Sequence, residues 1–226
     1  MTIWRGASLA GLIAMAISIM FGMIPGIDAC GLPGEPIINF EFVRTPAELA
    51  ALFPETCRDV HVAAQRQGLW LDALAFIPSY TAFLALSLAA LHREDGDSAG
   101  KLALLGIGMT IVAALCDQFE GVQLFRLLDS LPGSQSTIDL LIPAVRLKFA
   151  LLAIAVTIAG YLHFTRSGWR KAAGAIIAIG GMFALIGLFH DRVWLMSANA
   201  LAWLLLLAVN IVQAARSDRS SNKASS

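Results

Sequence analysis

One stretch, Lys101 to Leu128, limits the folds open to this chain more than any other feature. It reads KLALLGIGMTIVAALCDQFEGVQLFRLL, longer than the roughly 20 apolar residues that a helix needs to cross a bilayer. Yet Asp117 and Glu120 lie well inside the apolar run. A carboxylate at membrane depth costs about 2.5–3.5 kcal/mol on insertion scales, so other groups must offset it. The two acids are three residues apart, which on a helix places both on one face. A chain that keeps them there needs partner groups supplied by other helices.

Composition puts the remainder of the chain in the same class. Of 226 residues, 58% are hydrophobic and 14% charged, against about 45–50% and 25% in soluble domains. Several apolar runs of membrane-spanning length follow one another. The expected fold is all-α, an integral membrane helical bundle of about six transmembrane helices. Residues 1–216 form a single polytopic domain, with an extracytoplasmic helical segment at 26–68 and a disordered tail at 217–226. No basic stripe is present, which argues against nucleic-acid binding.

The first span runs from Ile3 to Pro25. A cleaved signal peptide is the competing reading, and Ile27-Asp28-Ala29-Cys30 has the outline of a lipoprotein box. The acid before Ala29 and an apolar run longer than an h-region favour a retained span. Glu35 to Val43 alternates briefly and is expected to be extended. Thr45-Pro46-Ala47-Glu48 has the form of a capping box with proline at the first helical position, so a helix opens there and stops before Pro54. A second helix covers Glu55 to Gln67 and ends at Gly68.

The later spans are placed at Leu69–Leu91, Lys101–Leu128, Leu140–Phe164, Ala172–Phe189 and Val193–Ala214. A kink is expected at Pro78. Polar loops fall at 92–100, 130–136 and 165–171. Trp4, Trp70, Trp169 and Trp194 fall at span ends, as an aromatic belt requires. Gly180, Ala184 and Gly187 form a small-residue surface suited to close helix approach.

Lysine and arginine near the span ends set the orientation. With the N-terminus inside, nine basic residues face four acids on the inner side, and seven face twelve outside. The expected placement is a bacterial cytoplasmic (inner) membrane with both termini cytoplasmic. At about 1.5 Å per residue, Asp117 then lies about 24 Å from Lys101, in the outer half. Asp72, Arg146, Lys148 and Asn199 fall in the same layer from three further helices. The candidate ligand-binding cluster is Glu41, Asp72, Asp117, Glu120, Arg146 and Lys148. Arg146 and Lys148 are two apart and cannot share a helix face, so one of them supplies the counter-charge and the other extends toward the headgroups.

The cluster admits two readings: an outer-facing pocket for a cation, an amine, a proton or a lipid headgroup, or a salt-bridge network that closes on itself. Asp72, Phe76 and Tyr80 recur every fourth residue, as pocket-lining or as ordinary packing positions. Cys30 and Cys57 both fall in the outer segment, where a disulfide would persist; spacing alone does not pair them. Cys116 reads as a small apolar filler. His61, His92, His163 and His190 lack ligand spacing, so no metal site and no cofactor is expected.

Several pieces together resemble a group of small bacterial multi-pass integral membrane proteins. They are Asn39-Phe40-Glu41-Phe42 with Thr45-Pro46, Leu71-Asp72 with Phe76, Pro78 and Tyr80, Asp117-Gln118-Phe119-Glu120, and Leu147-Lys148-Phe149-Ala150. They cover roughly residues 38 to 152, and their order and spacing carry the resemblance. It implies a multi-span fold in a bacterial cytoplasmic membrane and picks out Glu41, Asp72, Asp117, Glu120 and Lys148. It brings no reaction. Gly121 stands where the group would have an asparagine.

Three functions follow as expectations. The first is binding or transport of a small cationic or lipid-headgroup ligand, although no inverted repeat supports transport. The second is an accessory subunit docking on a membrane-protein partner or on a second copy. The third is an enzyme using carboxylate acid–base chemistry on lipid, for which no nucleophile elbow or metal motif is present.

Overall fold

The structure is a computed structural model and describes residues 2–31, 35–94 and 97–224. It is all-α, 85% helical, with no strand among the described residues. Among the described residues nine α-helices and one π-turn follow in order: α1 (Ile3–Phe21), α2 (Pro36–Glu41), α3 (Pro46–Leu52), α4 (Arg58–Leu71), the π-turn (Asp72–Phe76), α5 (Ile77–Glu94), α6 (Asp97–Asp129), α7 (Gln135–Phe164), α8 (Trp169–His190) and α9 (Arg192–Ala224). Six helical stretches among the described residues are long and apolar enough to cross a membrane: Ile3–Phe21, Arg58–Glu94, Gly100–Asp129, Gln135–Phe164, Trp169–His190 and Arg192–Ser217. In the most apolar part of α6 only 28% of residues are buried by protein. Leu104, Leu105, Ile111, Val112 and Leu115 are all about half exposed, an apolar surface that water would not tolerate and a lipid phase would. The chain is a multi-pass membrane protein.

Two compact units share these helices. Unit 1 takes residues 1–13, 79–113 and 149–226, and unit 2 takes 14–78 and 114–148.

Unit 1 is held together by close helix approach. Side chains added at Gly174 and Gly181, seven residues apart on α8, would collide with Phe164 and Thr157 of α7. Gly180 and Gly187, also seven apart, face α9: a methyl at Gly180 would lie 2.9 Å from Ala202 Cβ, and one at Gly187 would strike the Leu195 amide. The small-residue surface expected on α8 is thus two-sided, which lets one helix touch two neighbours at backbone distance. Leu84, Leu88, Val156, Leu162, Ile177 and Leu206 fill the core. The Asn210 amide donates to Ser87 Oγ at 2.6 Å, tying α9 to α5.

Unit 2 carries the segment between the first two spans. A disulfide joins Cys30 and Cys57, with Cα atoms 5.5 Å apart. The expected N-cap forms at Thr45, whose Oγ1 accepts from the Glu48 amide at 3.1 Å, while the Glu48 carboxylate reaches one residue further back than a capping box requires and accepts from the Arg44 amide at 2.8 Å. Phe40 packs edge-on against Phe53, centroids 5.4 Å apart, and Phe53 in turn packs at a tilt against His61.

Several local expectations are corrected. Residues 36–41 are helical, not extended. Alternation over three residues also fits one helical turn, and Pro36 at its start pre-sets the helical φ. Ile37 then packs on the cluster formed by Ile24, Ile27 and Ala64. Gly68 does not end a helix. It lies inside α4, where an added Cβ would meet Ile24 and Ile37 at 3.5 Å, so the expected 55–67 helix runs into the second span. The expected 92–100 loop is helical up to Glu94 and again from Asp97; residues 95 and 96 lie outside the described residues. Helix α9 continues to Ala224, past the start of the expected tail, since an established helix adds one bond per residue; residues 225 and 226 lie outside the described residues.

Candidate functional site

The path of α4 into α5 places the first carboxylate. At Ile77 the amide donates to the Asp72 carbonyl, five residues back, and not to Ala73. The next residue is Pro78, which has no N–H to offer. The Ala73 carbonyl is therefore left without a partner on its own helix. Gln118 of α6 supplies one: its Nε2 donates to Ala73 O at 2.8 Å. The distortion expected at Pro78 is thus absorbed one turn earlier, as a π-turn that begins at Asp72. The extra residue per turn also dissolves the four-residue repeat of Asp72, Phe76 and Tyr80. Phe76 packs against Phe21 in unit 2, whereas Tyr80 belongs to unit 1 and packs against Trp203.

The other members come from three helices of unit 2. Glu41 ends α2, Asp117 and Glu120 share a face of α6, and Lys148 lies on α7. All four are buried, at 8%, 4%, 1% and 4% exposure. The Lys148 ammonium is their common focus. Nζ donates to Glu41 Oε2 at 3.1 Å, to Asp117 Oδ1 at 2.9 Å and to Glu120 Oε1 at 2.9 Å. An ammonium has three protons, so the three hydrogen bonds match its capacity. Glu120 Oε2 lies 2.8 Å from the same Nζ and accepts no hydrogen bond. The partners are separated from Lys148 by 107, 31 and 28 residues along the chain. Asp72 is half-buried, makes no direct bond to the ammonium, and stands within Coulombic range of Lys148, Asp117 and Glu41.

Of the six residues read from the sequence, Glu41, Asp117, Glu120 and Lys148 meet directly, with Asp72 beside them. Arg146 is exposed and does not join the cluster. The two-residue offset within α7 turns Arg146 outward when Lys148 turns in. Asn199 lies on α9 in unit 1. Sequence reasoning assigned no role to Gln118; the proline at 78 was the signal, since a buried carbonyl that loses its N–H needs a donor from elsewhere.

Full ionisation would leave four carboxylates facing one ammonium, a net charge of −3, with Glu41, Asp117, Glu120 and Lys148 all buried. Such an imbalance cannot persist in an apolar setting, and the group responds by taking up protons or a cation. Glu41, which lies outside the spans, displays the tendency. Burial pushes its carboxyl above the ordinary range, Asp117 adds to the rise, and the Lys148 ammonium opposes it. The arrangement can hold a cation, hold a proton, or exchange one for the other.

No family model, curated protein or solved structure matches this chain.

Proposed function

We propose that this chain is a bacterial inner-membrane protein, with both termini cytoplasmic, that binds a small cation in exchange with the Lys148 ammonium. A proton, an alkali cation or a primary amine, including the amine of a lipid headgroup, has the required charge. The single observation that carries the reading is the charge excess: Glu41, Asp117 and Glu120 paired with one ammonium and Asp72 within Coulombic range of it. In the state described, Lys148 fills the cation position. Withdrawal of its flexible side chain would leave a preformed acidic site for a free cation. The disulfide between Cys30 and Cys57 supports an oxidising, extracytoplasmic side for that segment, and the bias of lysine and arginine supports the same orientation. Membership of the small bacterial multi-pass group that the sequence resembles belongs to the same proposal.

The test is thermal unfolding of the purified chain in nanodiscs, in sodium, potassium, methylammonium or choline chloride at one ionic strength. At least one small cation is expected to raise the melting temperature saturably, by the equivalent of about 2.7 kcal/mol at a hundred times its Kd. Glu120→Gln is expected to abolish the response, and Lys148→Met to strengthen it by emptying the site. Equal melting in all four salts sinks the proposal. A second reading, an accessory subunit in which the cluster is only a tertiary lock, is favoured by the match between three donors and three acceptors. It requires that Lys148→Met show no cation response.

A further inference from the structure

At one end of unit 1 the helix termini meet through cations and aromatic rings. Arg170, in the first turn of α8, is the centre. Its Nε and Nη2 both point at His163 Nδ1, at 3.3 and 3.2 Å, and its Nη1 donates to Glu94 Oε2 at 2.8 Å. The guanidinium carbon lies 5.9 Å from the centroid of the Trp4 ring. Since a guanidinium only donates, His163 Nδ1 is the acceptor and the ring proton resides on Nε2. His163 is fully buried and Trp4 nearly so, so Arg170 is held from behind by rigid groups.

A guanidinium carries five N–H donors in a fixed plane. Three are engaged here, leaving one on Nη1 and one on Nη2. Donors on the two terminal nitrogens are suited to phosphate oxygens. The side chain keeps 14% of its surface exposed. Around it the charge is one-sided: Arg166 approaches the same Glu94 oxygen at 3.6 Å, while Lys171 and Arg216 are exposed. Lys171 lies 5.2 Å from the Phe164 ring and Arg216 5.1 Å from the Trp169 ring. Both rings are themselves exposed, at 41% and 37%. Among the described side chains, four cations and one acid thus lie at this end of unit 1, interleaved with aromatic rings at the ends of membrane-length helices, the depth at which headgroups lie.

We propose that this end of unit 1 binds the phosphate of an anionic phospholipid headgroup. Arg170 presents the spare N–H pair, Lys171 and Arg216 supply flanking charge, and Phe164 and Trp169 contact the glycerol and upper acyl region. The excess of positive charge disfavours a zwitterionic headgroup, whose own cation would meet four like charges. The exposed rings disfavour soluble phosphate, which has no apolar part to cover them. The inference uses the membrane placement of the helices and is independent of the carboxylate cluster.

Native mass spectrometry of the full chain, given equal amounts of phosphatidylglycerol and phosphatidylcholine with identical acyl chains, tests it. Phosphatidylglycerol is expected to be retained in preference. Lys171→Gln with Arg216→Gln should reduce that preference about fivefold for each charge removed. Arg170→Gln should reduce it further, and Arg170→Lys, which restores the charge without the fork, should not recover it. If the Arg170 variants fail to fold, the Lys171 and Arg216 pair decides, because those side chains rest on exposed rings. Equal retention of the two lipids, an unchanged preference in that pair, or equal stabilisation by inorganic phosphate would overturn the inference.

Discussion

Glu41 is the member of the cluster that lies outside the membrane spans. In the unfolded chain its carboxyl titrates near 4.5. In the folded protein burial holds the proton more tightly, and the Lys148 charge only partly opposes this. The folded state therefore binds more protons than the unfolded state in the interval from 4.5 up to the raised value. Stability falls as pH rises through that interval, and the penalty is absent below it. Melting curves of wild type and Glu41→Gln, taken in half-unit steps upward from pH 4, are expected to diverge just above 4.5, with wild type losing stability relative to the variant. Parallel curves would remove Glu41 from the proton balance. At this scale the sequence was informative because a membrane makes every charge conspicuous: Asp72, Asp117, Glu120 and Lys148 all stand in apolar runs. Choosing between Arg146 and Lys148 was beyond it. That choice depends on which side of α7 packs inward, and a helix apolar all round carries no mark of its inner side.

Among the elements, the π-turn depends on a residue from another helix. Gln118→Ala orphans the Ala73 carbonyl, a half-buried group, and the loss is expected at the low end of the roughly 1–3 kcal/mol that a fully buried group would cost. Pro78→Ala restores an N–H that can bond to that carbonyl, so Gln118→Ala should cost less in the Pro78→Ala background. A double-mutant cycle on unfolding free energies in nanodiscs reads the coupling, expected at about 0.5–3 kcal/mol. Additive effects would mean that Gln118 does not serve as the surrogate donor. The elements also separate what sequence can and cannot convey. Thr45-Pro46-Ala47-Glu48 was legible because capping is local chemistry. Residues 36–41 were not, because three alternating positions fit strand and helix alike. At Gly68 the sequence signal is ambiguous because a glycine inside a helix looks the same as one that ends it; the helix continues there against Ile24 and Ile37, at ordinary contact distance.

On the scale of the whole molecule, six apolar lengths were legible because their composition is extreme, while the partition of the same helices into two units was not. That partition depends on which stretches touch, through contacts such as those of Gly174 and Gly181 with α7. The disulfide lies wholly within unit 2 and closes a separation of 27 residues. Replacing Cys30 and Cys57 by serine should cost about 2–5 kcal/mol, read as a lower melting temperature that reductant reproduces in wild type. The proposed orientation makes a further demand: in intact cells the pair should be oxidised, and a fluorescent protein fused to the C-terminus should mature. A non-fluorescent fusion would reverse the topology.

The distances along the chain between Lys148 and its partners have a consequence in time. Glu41, Asp117 and Glu120 all precede the lysine, by as many as 107 residues. At about 5–20 residues per second of synthesis, Glu41 exists for about 5–20 s before its counter-ion is made. Asp117 and Glu120 precede Lys148 by only 31 and 28 residues, about 1.5–6 s at the same rate, and for that shorter time they lack their counter-ion, to be carried in as neutral acids or to wait at the headgroup level until α7 arrives. Completion of α7 is then the step that commits α6 to its final depth, and a ribosome stalled before Lys148 should leave α6 only partly inserted.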